Sequence, residues 1–300
     1  MFLDLFNLIK NKNTFPFSQS SFISFLSTSY ASCYFESRQI GSCNRKNFFS
    51  YHNYEVTNDL NDVSKELKNV LHESVKTWFL NELNISGKTI VFKNILSEDS
   101  SVFLKDSCDA LIKNKEDYEL LLIKTYDGSK YTSNSIYGTS KITPTPKLKH
   151  LIQAFRFLLI HNESNNIDFI NLCYIDTATS QDFKNIQFRI SIFEDSGVKY
   201  PNIQVKLPNG SLTSYINKQI TDVGIKNSET YLYDCLVSNT IPSAEYTPVF
   251  TPEEVEQKYA EGLIYKTNYE QYKKNKDSVV LGDYECIYCP YNKGTCQKYD

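Results

Sequence analysis

The sequence predicts an α/β protein with a central mixed β-sheet flanked by helices. Apolar residues recur at helical spacing over 61–83 and again over 147–160, and strand-like runs follow each of these helices. The order of one helix, three strands, a second helix and two strands is typical of a mixed sheet covered by helices. With 300 residues, of which 41% are hydrophobic and 22% charged, the chain can bury the core that such a sheet needs.

The first half of the chain begins with two predicted helices. Residues 1–10 are expected to form a short amphipathic helix rather than a signal peptide, because Asp4 comes early and a basic region is absent. A long amphipathic helix is expected from Asn61 to Leu83. Three strand-like runs follow it, at Thr89–Ile95, Asp109–Ile112 and Tyr118–Lys124.

The middle of the chain repeats this pattern on a smaller scale. Two prolines within Lys141–Pro146 favour a loop, and the apolar spacing after it predicts a second helix over Lys147–Ile160. The runs Ile167–Ile175 and Ile186–Phe193 are then expected to form a pair of strands.

The last hundred residues give weaker signals until one clear helix start. Prolines and an Asn-Gly pair within 201–245 favour loops between short elements. Thr251 is followed by Pro252 and Glu254, which is the pattern of a helix N-cap with reciprocal capping. This helix is expected to run to about Tyr265.

Composition limits the function classes that need consideration. The formal net charge of −3 excludes a globally basic coat for nucleic acid, so any such contact must come from local clusters. The 28 lysines fit AT-rich coding, as in a viral or low-GC genome, and a single lysine therefore carries little weight. Because no run reaches the ~18 apolar residues of a membrane span, we expect a cytoplasmic protein, in the host cytoplasm if viral, without a membrane partner.

Three of the eight cysteines lie within the last fifteen residues. Cys286, Cys289 and Cys296 supply three soft thiolate ligands, and a tetrahedral site needs a fourth. A zinc site that borrows a histidine or cysteine, or clustered free thiols, are the alternatives that the spacing leaves open. The other cysteines in or near apolar runs are predicted to be small buried hydrophobes: Cys108, Cys173 and Cys235.

A segment far upstream resembles the opening of a known nuclease family. Gly41-Ser-Cys43-Asn-Arg45 is similar to the Gly-x-Cys-x-Arg segment of iron–sulfur nucleases of the RecB/AddB type, a PD-(D/E)xK group that includes exonuclease V and the CRISPR-adaptation exonucleases. The resemblance implies a restriction-endonuclease-like domain over 37–300 behind an N-terminal extension at 1–36. It also implies a [4Fe–4S] cluster that ties the chain ends. Its ligands would be Cys43, Cys286, Cys289 and Cys296, with Cys33 in reserve for the first position.

The same resemblance implies a site for phosphodiester hydrolysis with Mg²⁺ or Mn²⁺. It assigns His72 and Asp109 as metal ligands and Lys124 as the motif lysine. Gln153 matches a helical glutamine, and Phe157 stands where the family has tyrosine. The implied function is a RecB-like exonuclease acting on single-stranded DNA or DNA ends, with a helicase or another recombination protein as a partner.

One position departs from the family pattern. The second metal carboxylate should stand two residues before Lys124, but Leu122 occupies that position and cannot ligate a cation. Strand alternation turns Glu119 to the opposite face, which weakens it as a replacement. Other nearby carboxylates are Glu116, Asp117 and Asp127.

Three functions therefore remain open. The first is the metal-dependent exonuclease, with DNA guided by local lysines. The second is a catalytically impaired pseudo-nuclease that binds DNA or serves in assembly, and the third is a zinc-stapled structural protein. The lysines of the expected DNA path are Lys105, Lys130, Lys141, Lys147 and Lys149.

Overall fold

In the computed structural model the chain folds into two compact units. The first comprises residues 1–41 and 66–230, and the second comprises 42–65 and 231–300. The structure describes residues 37–40, 42–54, 62–85, 88–99, 104–114, 117–126, 137–139, 144–176, 186–206, 210–262, 264, 266–276, 279–283, 286, 289–291 and 295–296. The helix expected over 1–10, the boundary at residue 36 and Cys33 therefore lie outside or at the limit of the described residues, and they stay predictions.

The elements follow the predicted alternation over the first half of the chain and add further elements in the second half. The described helices are α1 (Ser37–Ile40), α2 (Asn44–Tyr51), α3 (Asp62–Ile85), α4 (Leu148–Asn165), α5 (Asp222–Val237), α6 (Pro252–Ala260) and α7 (Lys266–Lys274). The described strands are β1 (Thr89–Asp99), β2 (Leu104–Asn114), β3 (Asp117–Tyr126), β4 (Tyr137–Thr139), β5 (Pro144–Pro146), β6 (Phe169–Asp176), β7 (Ile186–Asp195), β8 (Val198–Lys206) and β9 (Leu212–Ile216).

The first unit contains a mixed sheet, as the sequence predicts. Among the described residues, seven strands pair in the order β1-β2-β3-β6-β7-β8-β9. Of the strand pairs that the structure describes, only β3 and β6 are parallel, and the chain reaches β6 from β3 through α4, which is the crossover that a parallel pair requires. The remaining neighbours in this sheet are antiparallel.

Helix α3 packs on one face of this sheet. Its residues Val75, Phe79 and Leu83 are buried against alternate residues of the central strands. Burial of each such side chain stabilises the fold by about 1.5–3 kcal/mol. The strand residues in this core are Ala110, Ile112, Leu121, Ile123, Cys173 and Ile175.

Helix α4 lies on the opposite face. Because strand side chains alternate, Leu122 and Tyr174 point away from the residues that pack on α3. The Tyr174 hydroxyl accepts the Lys147 N–H at 3.1 Å and lies 2.9 Å from His150 Nδ1, both at the start of α4. The prediction that helices flank a central sheet is confirmed within this unit.

The second unit joins a segment near the start of the chain to its C-terminal part. The Asn44 N–H donates to Glu245 Oε2 at 3.0 Å, and Arg45 Nε donates to the Pro242 carbonyl at 2.9 Å. Phe49 packs on Tyr291 with ring centroids 5.5 Å apart. A separate apolar core contains Phe250, Val255, Ile264, Tyr272 and Leu281.

The helix predicted after Thr251 is right at its start and wrong at its end. Thr251 Oγ1 accepts the Glu254 N–H, and Glu254 Oε2 accepts the Thr251 N–H, so the capping box is present. The helix ends at Ala260 rather than near Tyr265. Gly262 has a φ of +75°, and this left-handed residue terminates the helix.

The loops predicted within 201–245 are partly wrong, because α5 occupies Asp222–Val237. Thr221 Oγ1 accepts the Gly224 N–H at 2.8 Å at its first turn. The buried residues Ile225, Leu232 and Leu236 recur at helical spacing, but polar residues between them obscure the period.

The loop predicted over Lys141–Pro146 is also wrong in part. Pro144–Pro146 pairs with Tyr137–Thr139 as a short antiparallel ladder. A two-stranded ladder has a free edge on each strand, so prolines without an N–H are tolerated there. The strands predicted before Lys124 are longer than their apolar runs, since β1 and β2 both extend through polar residues.

Candidate functional site

The candidate site lies where β2 and β3 diverge. Their described pairing ends at Ala110 opposite Leu121, and Asp109 and Leu122 are the next residues of the two strands beyond this last pair. The buried Asp109 carboxylate reaches across this point, since its Oδ2 accepts the N–H of Ile123. The sequence therefore places one carboxylate at the position where two neighbouring strands open.

The other oxygen of Asp109 is held by a residue that the sequence analysis missed. Lys76 Nζ lies 2.7 Å from Asp109 Oδ1 and 2.9 Å from Glu73 Oε1. Burial disfavours the charged form of Lys76, but the Asp109 and Glu73 carboxylates together outweigh this effect, so the pKa of Lys76 is raised. The ammonium is therefore charged and bridges two carboxylates.

Lys124 is positioned by α4. Its Nζ donates to Gln153 Oε1 at 2.8 Å, so the predicted motif lysine and the predicted helical glutamine are in contact. Gln153 Nε2 donates in turn to Asp106 Oδ1 at 3.1 Å. Asp106 is almost fully buried and also accepts the Ser107 N–H at 2.9 Å. The amide of Gln153 thus connects Lys124 to a second carboxylate near Asp109 in sequence.

His72 lies one helical turn before Lys76 on α3. Its Nδ1 is 2.8 Å from Thr125 Oγ1, so the histidine faces the end of β3. Burial, and then the charge of Lys76, lower the pKa of His72 to about 4. The imidazole is therefore neutral near pH 7, and the charges of Asp109 and Lys124 both act on it. The structure brings all four predicted site residues to one place.

Leu122 is an apolar side chain within this site. It is 4% exposed and lies on the α4 face of the sheet, as Lys124 does. Its side chain supplies no oxygen where the resemblance implies a second carboxylate. In place of this metal ligand the structure therefore has a buried apolar side chain.

Glu119 does not compensate for Leu122. The carboxylate is buried on the other face, where it accepts hydrogen bonds from Asn171 Nδ2 and Arg189 Nη2, each at 2.7 Å. The guanidinium of Arg189 also stacks on the Phe169 ring, 3.6 Å from its centroid. The predicted orientation of Glu119 is confirmed. Glu116 and Asp127 lie outside the described residues, and Asp117 is exposed at the start of β3.

The four cysteines implied as cluster ligands all belong to the second unit. Burial, and then the thiols of Cys43, Cys289 and Cys296, raise the pKa of Cys286 to about 12. These three thiols therefore lie within electrostatic range of Cys286. Burial also raises the pKa of Cys43 to about 11.

One cation and two aromatic rings accompany these thiols. Arg45 Nη1 lies 3.8 Å from Cys296 Sγ, and the side chain is fixed by its bond to the Pro242 carbonyl. Phe49 and Tyr291 are buried in the same unit. Cys108, Cys173 and Cys235 are buried, as predicted for small hydrophobic residues.

The two implied inorganic groups differ in how the residues fit them. Within the part of the chain that the structure describes, no three His, Cys, Asp or Glu side chains are arranged to hold a metal ion. Soft thiolates beside an arginine suit an iron–sulfur centre by donor type. The site at Asp109 does not fit a divalent cation bound by two carboxylates. Leu122 stands at the position implied for one carboxylate, and Lys76 forms an ion pair with the other, Asp109.

Comparisons with known proteins give only distant similarities. No family model and no curated protein matches the chain. The solved structure of SSO0001 has 12% identity and a TM-score of 0.38, and the match covers 97% of this chain and 95% of that one. An alkaline exonuclease from Laribacter hongkongensis has 10% identity and a TM-score of 0.36, covering 77% and 95%. At these scores neither similarity establishes a fold family or an activity.

Candidate residues that could bind nucleic acid lie at the start of α4. Lys147 and Lys149 are partly exposed there, and α4 begins with neither a side-chain cap nor an acidic residue in its first turn. Residues 130 and 141 and the side chain of residue 105 lie outside the described part. No helix among the described residues is long and apolar enough to cross a membrane.

Proposed function

We propose that this protein is a catalytically impaired nuclease-like protein of the RecB/AddB type that binds single-stranded DNA or DNA ends. The observation that carries the proposal is the ion pair between Lys76 and Asp109, together with the burial of Leu122 at the position where the resemblance implies a second carboxylate. One carboxylate of the expected cation site is replaced by a buried apolar side chain. The remaining one is neutralised by an ammonium.

Basic groups at the open end of β3 support DNA as the ligand. Lys124 belongs to β3, and Tyr174, its register partner on β6, accepts the backbone N–H of Lys147. Lys149 lies in the first turn of α4, where the positive end of the helix dipole favours an anion. A phosphate backbone following this end would contact cations from both β3 and α4.

We propose in addition that Cys43, Cys286, Cys289 and Cys296 hold a [4Fe–4S] cluster. Its support is the position of Arg45 beside Cys296, and the location of the other three thiols within electrostatic range of Cys286. The cluster would supply a covalent tie between two chain segments that are far apart in sequence. A zinc ion on the same thiols is the alternative.

Metal-dependent hydrolysis is the second candidate function. The observation in its favour is that the charges of Asp109 and Lys124 both act on His72 and that Lys124 contacts Gln153. It requires Mg²⁺ or Mn²⁺ to displace Lys76 and to bind without a carboxylate at residue 122.

Titration with labelled single-stranded DNA, followed by fluorescence anisotropy, tests the proposal. The wild type should bind without cleaving in Mg²⁺ or Mn²⁺. Lys124→Met should weaken binding and lower the salt slope by about 1, since one phosphate contact is lost. Lys199→Met is the matched control. Lys199 lies outside the site, where its Nζ is 2.7 Å from Glu163 Oε1.

Two results would reject the proposal in different ways. DNA cleavage that both Asp109→Asn and Lys124→Met abolish would establish the second candidate function. Wild-type affinity for DNA no higher than that of Lys124→Met would remove DNA binding from this site.

A further inference from the structure

Lys76 occupies the centre of the candidate site without belonging to the motif that predicts the site. Its ammonium contacts one oxygen of Asp109 and one oxygen of Glu73, at 2.7 and 2.9 Å. Glu73 follows His72 directly on α3, and His72 Nε2 is 4.0 Å from the same Glu73 oxygen. The ammonium of Lys76 therefore contacts Asp109, one of the two metal ligands that the resemblance implies, and its charge acts on the other, His72.

The protein itself satisfies both oxygens of Asp109. Lys76 donates to Oδ1 and the backbone N–H of Ile123 donates to Oδ2. A divalent cation that takes the position of Lys76 at Oδ1 must displace a charge-assisted hydrogen bond, and the Leu122 side chain offers it no compensating oxygen. The Lys76 side chain is 16% exposed, so solvent screens this ion pair less than a surface pair.

We propose that the ammonium of Lys76 is the resident cation of this site and takes the place of a divalent metal ion. This inference deepens the proposed DNA-binding function and rests on it for its ligand. A DNA phosphate that approaches the site would be repelled by an uncompensated Asp109 carboxylate. Lys76 removes that repulsion, so DNA binding does not need Mg²⁺.

The inference assigns Lys76→Met a distinctive phenotype. Without divalent cations the variant should bind single-stranded DNA about tenfold more weakly than the wild type, because the carboxylates of Asp109 and Glu73 are exposed to the phosphate. Addition of Mg²⁺ should restore the affinity of the variant and leave that of the wild type unchanged at constant ionic strength. Lys199→Met should bind equally with and without Mg²⁺.

Direct metal binding supplies a second readout that does not involve DNA. Electron paramagnetic resonance of Mn²⁺ should show about tenfold tighter binding to Lys76→Met than to the wild type. Glu73→Gln, added to Lys76→Met, should weaken that binding again. This measurement tests the role of Lys76 even if the wild type does not bind DNA, so failure of the DNA-binding function is distinguishable.

Equal Mn²⁺ affinity of the wild type and Lys76→Met would overturn the inference. A wild type whose DNA affinity falls at least tenfold on removal of Mg²⁺ would overturn it as well. This second comparison needs no variant and therefore decides the question even if Lys76→Met does not fold.

Discussion

At the scale of single residues, the identity of residue 122 determines which cation the neighbouring side chains can bind. Asp109, Lys124 and Gln153 are the residues that the sequence motif predicts, and the structure brings them together. Leu122 stands where the resemblance implies a second carboxylate, so the site has one negative charge fewer. One ammonium can then balance the local charge in place of a divalent ion. Lys76 provides that charge from the adjacent helix.

Leu122→Glu is expected to destabilise the protein rather than to restore a metal site by itself. A carboxylate at this 4% exposed position would be buried opposite Asp109, and an unpaired buried charge costs several kcal/mol. We expect the free energy of unfolding to fall by about 2–4 kcal/mol. Chemical denaturation would measure the change, with Leu122→Met as the volume-conserving control.

Mn²⁺ should relieve this destabilisation only when Lys76 is also replaced by Met, since the ammonium competes for Asp109. A Leu122→Glu variant that is as stable as the wild type would contradict the described packing of Leu122 on the α4 face. Such a result would require an open, solvated space opposite Asp109.

At the scale of secondary-structure elements, the prediction from sequence succeeds where a buried face has a clear period. The sequence predicts helix α3 and the central strands because their apolar residues recur with a clear period. The structure shows why: Val75, Phe79 and Leu83 of α3 pack on alternate strand residues. Helix α5 was missed because its few buried residues are separated by polar ones, and the end of α6 depends on one glycine conformation.

The candidate site shows the same limit of prediction. Asp109 and Lys124 stand at recognisable spacing on two strands, and Gln153 at a recognisable place on a helix. Lys76 has only one sequence signal, its position four residues after His72 on the same helical face. In a chain with 28 lysines this signal is too weak to select it.

The second unit depends on a close backbone approach between two short segments. The Phe250 N–H donates to the Leu281 carbonyl, and the Asp283 N–H donates to the Thr247 carbonyl, each at 2.8 Å. A Cβ on Gly282 would lie 2.1 Å from the Pro248 carbonyl oxygen, which no side chain can accommodate.

Gly282→Ala is therefore expected to destabilise the protein by about 1–3 kcal/mol, because the backbone segments must move apart. Thermal unfolding measures the change. Val280→Ala is the control, since Val280 is exposed two residues away and its truncation should have little effect. A Gly282→Ala protein that unfolds at the wild-type temperature would show that the two segments do not approach as described.

At the scale of the whole molecule, the chain returns to its beginning to complete the second unit. Residues 42–65 and 231–300 form this unit, and the whole of the candidate site lies in the segment between them, 66–230. Closing so long a loop on folding costs conformational entropy. A tie between the two segments would lower this cost, because it restricts the unfolded chain as well. The bonds of Asn44 and Arg45 to the C-terminal segment are the non-covalent part of that tie.

Cys43→Ser tests whether a metal centre on the four cysteines supplies a covalent part of this tie. Protein purified without oxygen should contain iron and acid-labile sulfide and show the visible charge-transfer absorption of a thiolate-bound cluster. Cys43→Ser should lose both iron and absorption and unfold at a lower temperature, because binding of the metal centre contributes directly to folding. Cys235→Ser, which changes a buried thiol of the same unit, should retain the iron. One zinc ion per chain in place of iron would contradict the cluster while leaving the four-cysteine site, and loss of no metal in Cys43→Ser would contradict Cys43 as a ligand.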